Sequence, residues 1–445
     1  MIQSVLIIVL FVIVAFLMVT RKIPTLIAMP LMAVGIALIA GVPLVGENEA
    51  GEAIGILKNI IEDGSVRMAT AIAAGVFGSW FGRLMNTTGV SANIIKVSAE
   101  LGGDRPLVLT IAVSIAVALL FTVLSGLGSV IMVGTIVIPI LISVGIPAAT
   151  AACIYLFAFA IGGCFALGNW SVYMTTMSVT QTQVRDFSII LCVATTLAMI
   201  VFLIVEFKKN GIKFSFSAPA EKGEKSAKAD AEVDPDEGKL IKGWRGVMCM
   251  ISPLIPLVLA AILGVNIVPS FIVAIIWLVA FSSRGFKKSM NQLAKACYDG
   301  IRDVAPALIL FMGLGMLLKS VMHPMVASTL EPVVRAISPS SPFAYILFFI
   351  ILAPLSLYRG PMNLFGLGAG IAGLFMGVNT MPGVAVMGAF LSLERVQVIG
   401  DPTNTQNVWT SSFAGIDVNV ISWKLIPYLW SIAAVGVVVS AFIYF

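Results

Sequence analysis

ERVQVIGDPTNTQNVWTS, residues 394–411, decides the fold, because this most polar stretch outside the loops lies inside an otherwise apolar run of span length. Backbone that leaves the helix inside a bilayer is tolerated only where protein or a water-filled cavity satisfies its polar groups. The stretch therefore reads as a membrane helix over about 382–412 that is broken at the midplane. It carries Glu394, Arg395 and Asp401 together with several amide and hydroxyl side chains. Charges at that depth cost roughly several kcal/mol unless paired or hydrated, and are read by default as functional.

The rest of the chain supports a lipid environment. Of 445 residues, 59% are hydrophobic and only 11% charged, and the mean hydropathy is +1.05, which excludes a soluble domain of this length. Apolar runs of near span length recur from VLIIVLFVIVAFLMV at the start to LWSIAAVGVVVSAFIYF at the finish. Residues 1 to 5 carry no basic region and no small-residue cleavage site follows the first run, so no cleaved leader is expected. The net charge of +5 resides in loops between apolar spans, where it reports orientation and not a nucleic-acid partner. Cys153, Cys164, Cys192, Cys249 and Cys297 show no metal-ligand spacing, and His323 is the single histidine, placed at a helix end before Pro324. Neither a metal site nor an enzyme is expected, since no Cys/His or His/Asp cluster is present.

A hydrophilic stretch over 208–245, rich in Lys, Glu, Asp, Ala and Gly, reads as a linker between two halves, 1–207 and 246–445. Spans fall near 2–20, 23–45 and 67–86, followed by a hairpin near 106–145, a broken span near 148–177 and a last span near 186–207. The second half repeats this order near 246–264, 266–283, 303–322, 342–379, 382–412 and 424–444. At an offset of about 235 residues Arg67 pairs with Arg302, Gly78 with Gly313, Asn169 with Asn404 and Thr175 with Thr410. The expected fold is an all-α polytopic membrane protein of about 10 transmembrane helices plus two re-entrant hairpins, in two inverted-topology repeats with discontinuous helices at the midplane. If both hairpins return to their own side, one side of the membrane collects about 20 of the 27 Lys and Arg, against about 5 opposite. That side includes the linker and the 284–302 loop, while Glu47, Glu49, Glu52, Glu62 and Asp63 lie opposite. Positive-inside logic makes the linker cytoplasmic and leaves both termini outside.

Three further polar interruptions accompany residues 394–411. Ser125-Gly-Leu-Gly-Ser129 is the expected tip of the first hairpin, Gly162 to Thr176 the break of the first broken span, and Tyr358-Arg-Gly-Pro-Met-Asn363 the second tip. Each has a plainer reading: small-residue helix packing at Ser125, an extracellular loop at Arg359, a local Glu394–Arg395 ion pair, and interfacial anchoring for Trp170 and Trp409. Tips and broken helices meeting at the midplane would present helix N-termini and free amides to an anion such as a carboxylate. Arg359 adds a fixed charge able to bind a carboxylate through two hydrogen bonds. Hydroxyls of Ser125, Ser129, Thr175, Thr403 and Thr410 and unwound carbonyls suit a bound Na⁺, while Asp401 and Glu394 are candidates to carry a coupling proton.

In these residues the chain resembles the ion-transporter superfamily, and within it the citrate-transporter and gluconate-permease-like branches. The polar break Gly400-Asp-Pro-Thr-Asn-Thr-Gln-Asn-Val-Trp409, followed by Ser-Phe-Ala-Gly-Ile-Asp417 and a final span after Trp423, is similar to the citrate-family arrangement. Phe81-Gly-Arg-Leu-Met85 ahead of a small-residue tip is similar to the gluconate-permease layout. The Ser-Asn-Thr tip signature of the dicarboxylate branch is absent from the Ser125 tip. The resemblance implies a substrate site lined by Ser125, Gly126, Ser129, Asn169, Thr175, Arg359, Gly360, Asn363, Thr403, Asn404 and Asn407. Glu394, Asp401, Thr405 and Thr410 are the candidates for ion coupling. It also implies a homodimer in the cell inner membrane. The expected function is a cation-coupled carrier, driven by H⁺ or Na⁺, of a small organic anion of citrate, gluconate or dicarboxylate type; a Na⁺/H⁺ antiporter is the competing reading.

Overall fold

A computed structural model describes residues 2–20, 22–47, 51, 54–103, 105–211 and 241–445. Most of the linker expected over 208–245, together with Arg21, Glu49 and Glu52, lies outside the described residues. Within them the chain is helical throughout and has no β-strand. The first half contains α1 (Ile2–Val19), α2 (Thr25–Ile39), a π-helical turn (Ile56–Glu62) leading into α3 (Asp63–Arg67), α4 (Ala69–Thr87), α5 (Val90–Gly102), α6 (Pro106–Phe121), α7 (Gly126–Ser143), α8 (Ala148–Gly163), α9 (Leu167–Met177) and α10 (Gln181–Lys209). The second contains α11 (Trp244–Ile251), α12 (Leu254–Leu257) with a π-helical turn (Val258–Ile262), α13 (Ile267–Ser282), α14 (Phe286–Val321), α15 (Pro324–Ile337), α16 (Pro342–Leu352) with a 3-10 turn (Ala353–Arg359), α17 (Gly368–Gly377), α18 (Gly383–Gly400), α19 (Thr405–Phe413) and α20 (Val418–Tyr444).

The protein is an all-α polytopic membrane protein. Among the described residues six helical stretches are long and apolar enough to cross a bilayer, and up to eight if each bent pair is one span. Five more apolar helices, among them Thr25–Ile39 and Pro106–Phe121, are 10–17 residues long. Ile2, Val5, Val12, Ile13 and Phe16 of α1 and Val193, Leu197 and Ile204 of α10 project outward, which is stable only against lipid. Some helix starts carry a side-chain cap. Thr180 and Gln183 form a capping box at α10, Ser341 accepts from the Ala344 N–H at α16, and Asp417 accepts from the Asn419 N–H at α20.

One expectation changes. Residues 284–302, read as a loop, are largely the first half of the 36-residue α14. Its sequence FKKSMNQLAKACYDGIR is rich in strong helix formers, so the helix continues into water after the apolar part ends.

Two helices occupy the centre. Every residue from Thr150 to Phe157 of α8 is buried, and the stretch Gly383–Phe413 is the most enclosed of all the spans. Helix α18 packs along α20 through small residues: a side chain at Gly388 would strike Ser440, and one at Gly436 would strike Ser392. The start of α8 is tied to its neighbours by Lys424, whose Nζ lies 2.5 Å from Glu206 Oε2 of α10 and donates to Thr150 Oγ1. Enclosure of α8 and α18 sets the chemistry, because α18 breaks at Asp401 and α8 breaks just ahead of Asn169.

Candidate functional site at the two helix breaks

The first break follows α8, where the chain turns by 55° before α9. Breaking a helix frees its last carbonyls. The Cys164 N–H bonds the Ile161 carbonyl, and the Ala160 carbonyl accepts from Arg395 Nη1 of α18 (3.0 Å). Arg395 Nη1 also reaches Cys164 Sγ (3.2 Å), and Nη2 pairs with Glu394 Oε2 (3.1 Å). Glu394 in turn accepts from Asn169 Nδ2 (3.1 Å) and from the Tyr173 hydroxyl (2.9 Å), both on α9. Glu394 and Arg395 are each at most 2% exposed, so the pair is a fully internal link between the two halves. Arg395 Nε has no partner among the described residues.

The second break follows α18 at Asp401, whose backbone is extended (φ −75°, ψ 114°) and whose carboxylate is fully buried. Oδ1 accepts from the Thr403 N–H (2.8 Å) and hydroxyl (2.7 Å), and Oδ2 from the Arg359 N–H (3.3 Å). The carbonyls freed by this break are taken by amides: Asn404 Nδ2 donates to Gln397 O, Gln406 Nε2 to Val398 O, and Asn407 Nδ2 to Asp401 O. No lysine or arginine side chain pairs with Asp401 among the described residues. Three buried oxygens nearby along the chain also lack partners there, namely Gln397 Oε1, Asn407 Oδ1 and Thr410 Oγ1. Gln397 lies one turn before Asp401 on α18, and Asn407 and Thr410 share a face of α19. Thr405, by contrast, is exposed.

The second tip, residues 353–367, meets this break. Tyr358 and Arg359 both adopt positive φ (56° and 54°), a left-handed backbone uncommon outside glycine, and this turns the Arg359 N–H toward Asp401. Gly360 is required because a side chain there would run into the Leu355 carbonyl. Asn363 is consumed by the tip itself, with Nδ2 on the Ser356 carbonyl (3.2 Å) and Oδ1 on the Phe365 N–H (2.9 Å). The half-buried Arg359 guanidinium has no acceptor among the described residues.

The first tip lies elsewhere, against α4 and α14. Ser125 is exposed and caps nothing, Ser129 is buried, and Gly126 has φ 81°. A side chain at Gly126 or Gly128 would meet Asp303 of α14. Arg83 of α4 lies 3.5 Å from Asp299 and 3.9 Å from Asp303. Thr175 bonds its own helix at the Ser171 carbonyl. The structure therefore joins Asn169 to Glu394, and Arg359 to Asp401 and Thr403, while Ser125, Gly126 and Ser129 stand with Arg83, Asp299 and Asp303. Tyr173, Gln397, Arg83, Asp299 and Asp303 escaped the sequence reading. The i, i+4 spacing of the two aspartates was the available signal, hidden by the loop assigned to 284–302.

No protein-family profile and no curated relative matches the chain. Solved structures do share its fold. It superposes with a TM-score of 0.60 on the Alcanivorax borkumensis YdaH transporter, described as having an unusual topology, at 12% identity over 99% of this chain and 98% of that one. The Neisseria gonorrhoeae MtrF protein, described as illuminating a class of antimetabolite efflux pumps, gives a TM-score of 0.50 and 13% identity over 96% and 95% of the two chains. At such identities the similarity is one of fold.

Proposed function

We propose that the protein is a secondary active transporter of the cell inner membrane, a cation-coupled symporter of a small organic anion such as a carboxylate. The observation that carries this reading is Asp401, a fully buried carboxylate at a helix break with hydrogen-bond donors around it and no counter-cation among the described side chains. A buried charge of that kind calls for a partner, and a coupling cation supplies one. The unpartnered oxygens of Gln397, Asn407 and Thr410 favour Na⁺ over a proton, since a hard cation takes several oxygen ligands whereas a proton needs only the carboxylate. Glu394 is the weaker coupling candidate because Arg395 already balances its charge. The guanidinium of Arg359, which has no acceptor among the described residues and whose backbone N–H bonds Asp401, suits the carboxylate of the substrate.

The matching order of helices in the two halves, with α8 and α18 beginning at residues 148 and 383, supports inverted repeats and alternating access about the two breaks. Membership of the ion-transporter superfamily, a homodimeric assembly and a cytoplasmic linker with both termini outside belong to the same proposal. In proteoliposomes, a labelled carboxylate such as citrate or gluconate is expected to accumulate under an inward Na⁺ or proton gradient. Arg359→Ala should abolish uptake, and Asp401→Asn should remove its dependence on the cation. Normal uptake by Arg359→Ala would remove Arg359 from the site. A gradient-driven pH change with no organic substrate present would replace the symporter by a Na⁺/H⁺ antiporter.

A further inference from the structure

Arg67 is the last residue of α3, half-buried where that short helix packs on the end of α14. Two glycines bring the helices together: a side chain at Gly64 would strike the Met316 backbone, and one at Gly315 would strike the Gly64 carbonyl. The Arg67 side chain then runs along α14. A side chain at Gly315 would meet its Cβ, and its Nη2 reaches Met322 Sδ (3.6 Å). Gly315, Lys319 and Met322 are spaced i, i+4 and i+7 on one face of α14, so the half-buried Lys319 stands between the two points that Arg67 touches.

No carboxylate pairs with either cation among the described residues. The acids nearest to Arg67 in sequence, Glu62 and Asp63, are taken by Lys58 (2.7 and 3.4 Å). Arg67 Nε is sealed from solvent and has no acceptor there either. A thioether is a weak acceptor, so Met322 leaves most of the guanidinium's donor capacity unused. Two cations on one surface repel, and an anion between them removes the repulsion and fills the donors. The pair also lies one helix away from the first break. Met68, next to Arg67, meets Thr176 near the end of α9 (Oγ1 to Sδ, 4.0 Å), and α9 carries Asn169 and Tyr173 to Glu394. The 11 residues of α9 span about 16 Å.

We propose that Arg67 and Lys319 form a second anion subsite, at the opposite end of α14 from its basic first half, where a carboxylate of the transported anion is held before it reaches the breaks. The guanidinium offers paired N–H donors and the ammonium a point charge. Holding anions at a mouth raises their local concentration and their rate of entry. The waiting role rests on the carrier reading; anion binding at Arg67 does not.

The test titrates citrate into the purified full chain in detergent and reads binding by calorimetry. Arg359→Ala should leave residual citrate binding. That binding should disappear when Arg67→Gln is added, persist with Arg67→Lys, and weaken about tenfold with Lys319→Gln, the loss of one charge-assisted contact. No citrate binding by Arg359→Ala, or residual binding that survives Arg67→Gln or is unmoved by Lys319→Gln, overturns the subsite. A phospholipid that co-purifies with the unmodified chain and not with Arg67→Gln, seen by mass spectrometry, makes the occupant a lipid headgroup and overturns the waiting role. In vesicles sealed with this face outward, Arg67→Gln should raise the KM for citrate uptake about tenfold at unchanged kcat, and Arg67→Lys should restore it. A fall in kcat at unchanged KM overturns the waiting role. A chain that binds citrate through Arg67 and takes up none counts against the carrier reading and leaves the subsite standing.

Discussion

At the residue scale, two acids about two turns apart, Glu394 on α18 and Asp401 just past its end, meet different environments. Consecutive helix positions do not face each other, so the adjacency of Glu394 and Arg395 did not dictate a pair. The pair exists because the freed Ala160 carbonyl and Cys164 hold Arg395 from one side, while Asn169 and Tyr173 hold Glu394 from the other. Removing one partner of such a pair leaves the other buried and uncompensated. Glu394→Ala should therefore lower stability by about 3–5 kcal/mol, read as a fall in the thermal midpoint in detergent. Replacing both residues, as Glu394→Leu with Arg395→Met, should cost less than the single change. A double variant as unstable as the single one would show that the charge pair is not the source of the loss. Glu394, Arg395 and Asp401 were legible in the sequence because a charge inside an apolar run stands out. Tyr173 was not, since a tyrosine in such a run reads as packing until its hydroxyl is seen on Glu394.

At the element scale, the breaks work as capping problems. The end of α18 is closed by Asn404, Gln406 and Asn407, which explains why this polar cluster survives at depth even where it need not touch a substrate. A comparable device operates beyond the end of the α14 span. His323 caps α15, with Nδ1 accepting from the Met325 N–H (3.3 Å) and Nε2 on the Ile54 carbonyl (3.1 Å). Burial, with the Lys319 charge adding to it, pushes its pKa below the ordinary histidine value, although the Ile54 bond opposes this. The imidazole is thus held neutral in the fold, and protonation would remove the lone pair that caps the helix. Its contribution to stability is complete above about pH 6.5 and is lost as pH falls through the lowered folded value. Thermal midpoints measured across that range should fall toward acid, and His323→Ala should flatten the His323 part of the dependence while costing about 1 kcal/mol at neutral pH. An unchanged acid slope in His323→Ala would assign the dependence to other groups.

At the scale of the whole molecule, the proposed orientation rests on the distribution of charge and is directly testable. In a background without native cysteines, Glu62→Cys should react with an impermeant maleimide from outside, and Lys287→Cys only after permeabilisation; the reverse pattern would invert the proposed topology. Both positions lie in described helices with exposed side chains. What the sequence determined by itself was most of the set of elements: long apolar runs read as membrane helices, and the interruptions over 162–176 and 394–411 as breaks, because lipid offers backbone groups no partner. It did not determine which break faces which tip. Four interruptions read as one midplane cluster became, in three dimensions, a Glu394–Arg395 link between α18 and the α8–α9 break, an Asp401 centre at the second tip, and a separate Arg83–Asp299–Asp303 group at the first. Those partnerships join residues some 40 to 235 positions apart, for instance Arg359 with Asp401 and Ala160 with Arg395. Hydrophobic periodicity reports burial along a single helix, whereas the pairing of buried polar groups depends on which helices pack together, and only the tertiary structure decides that.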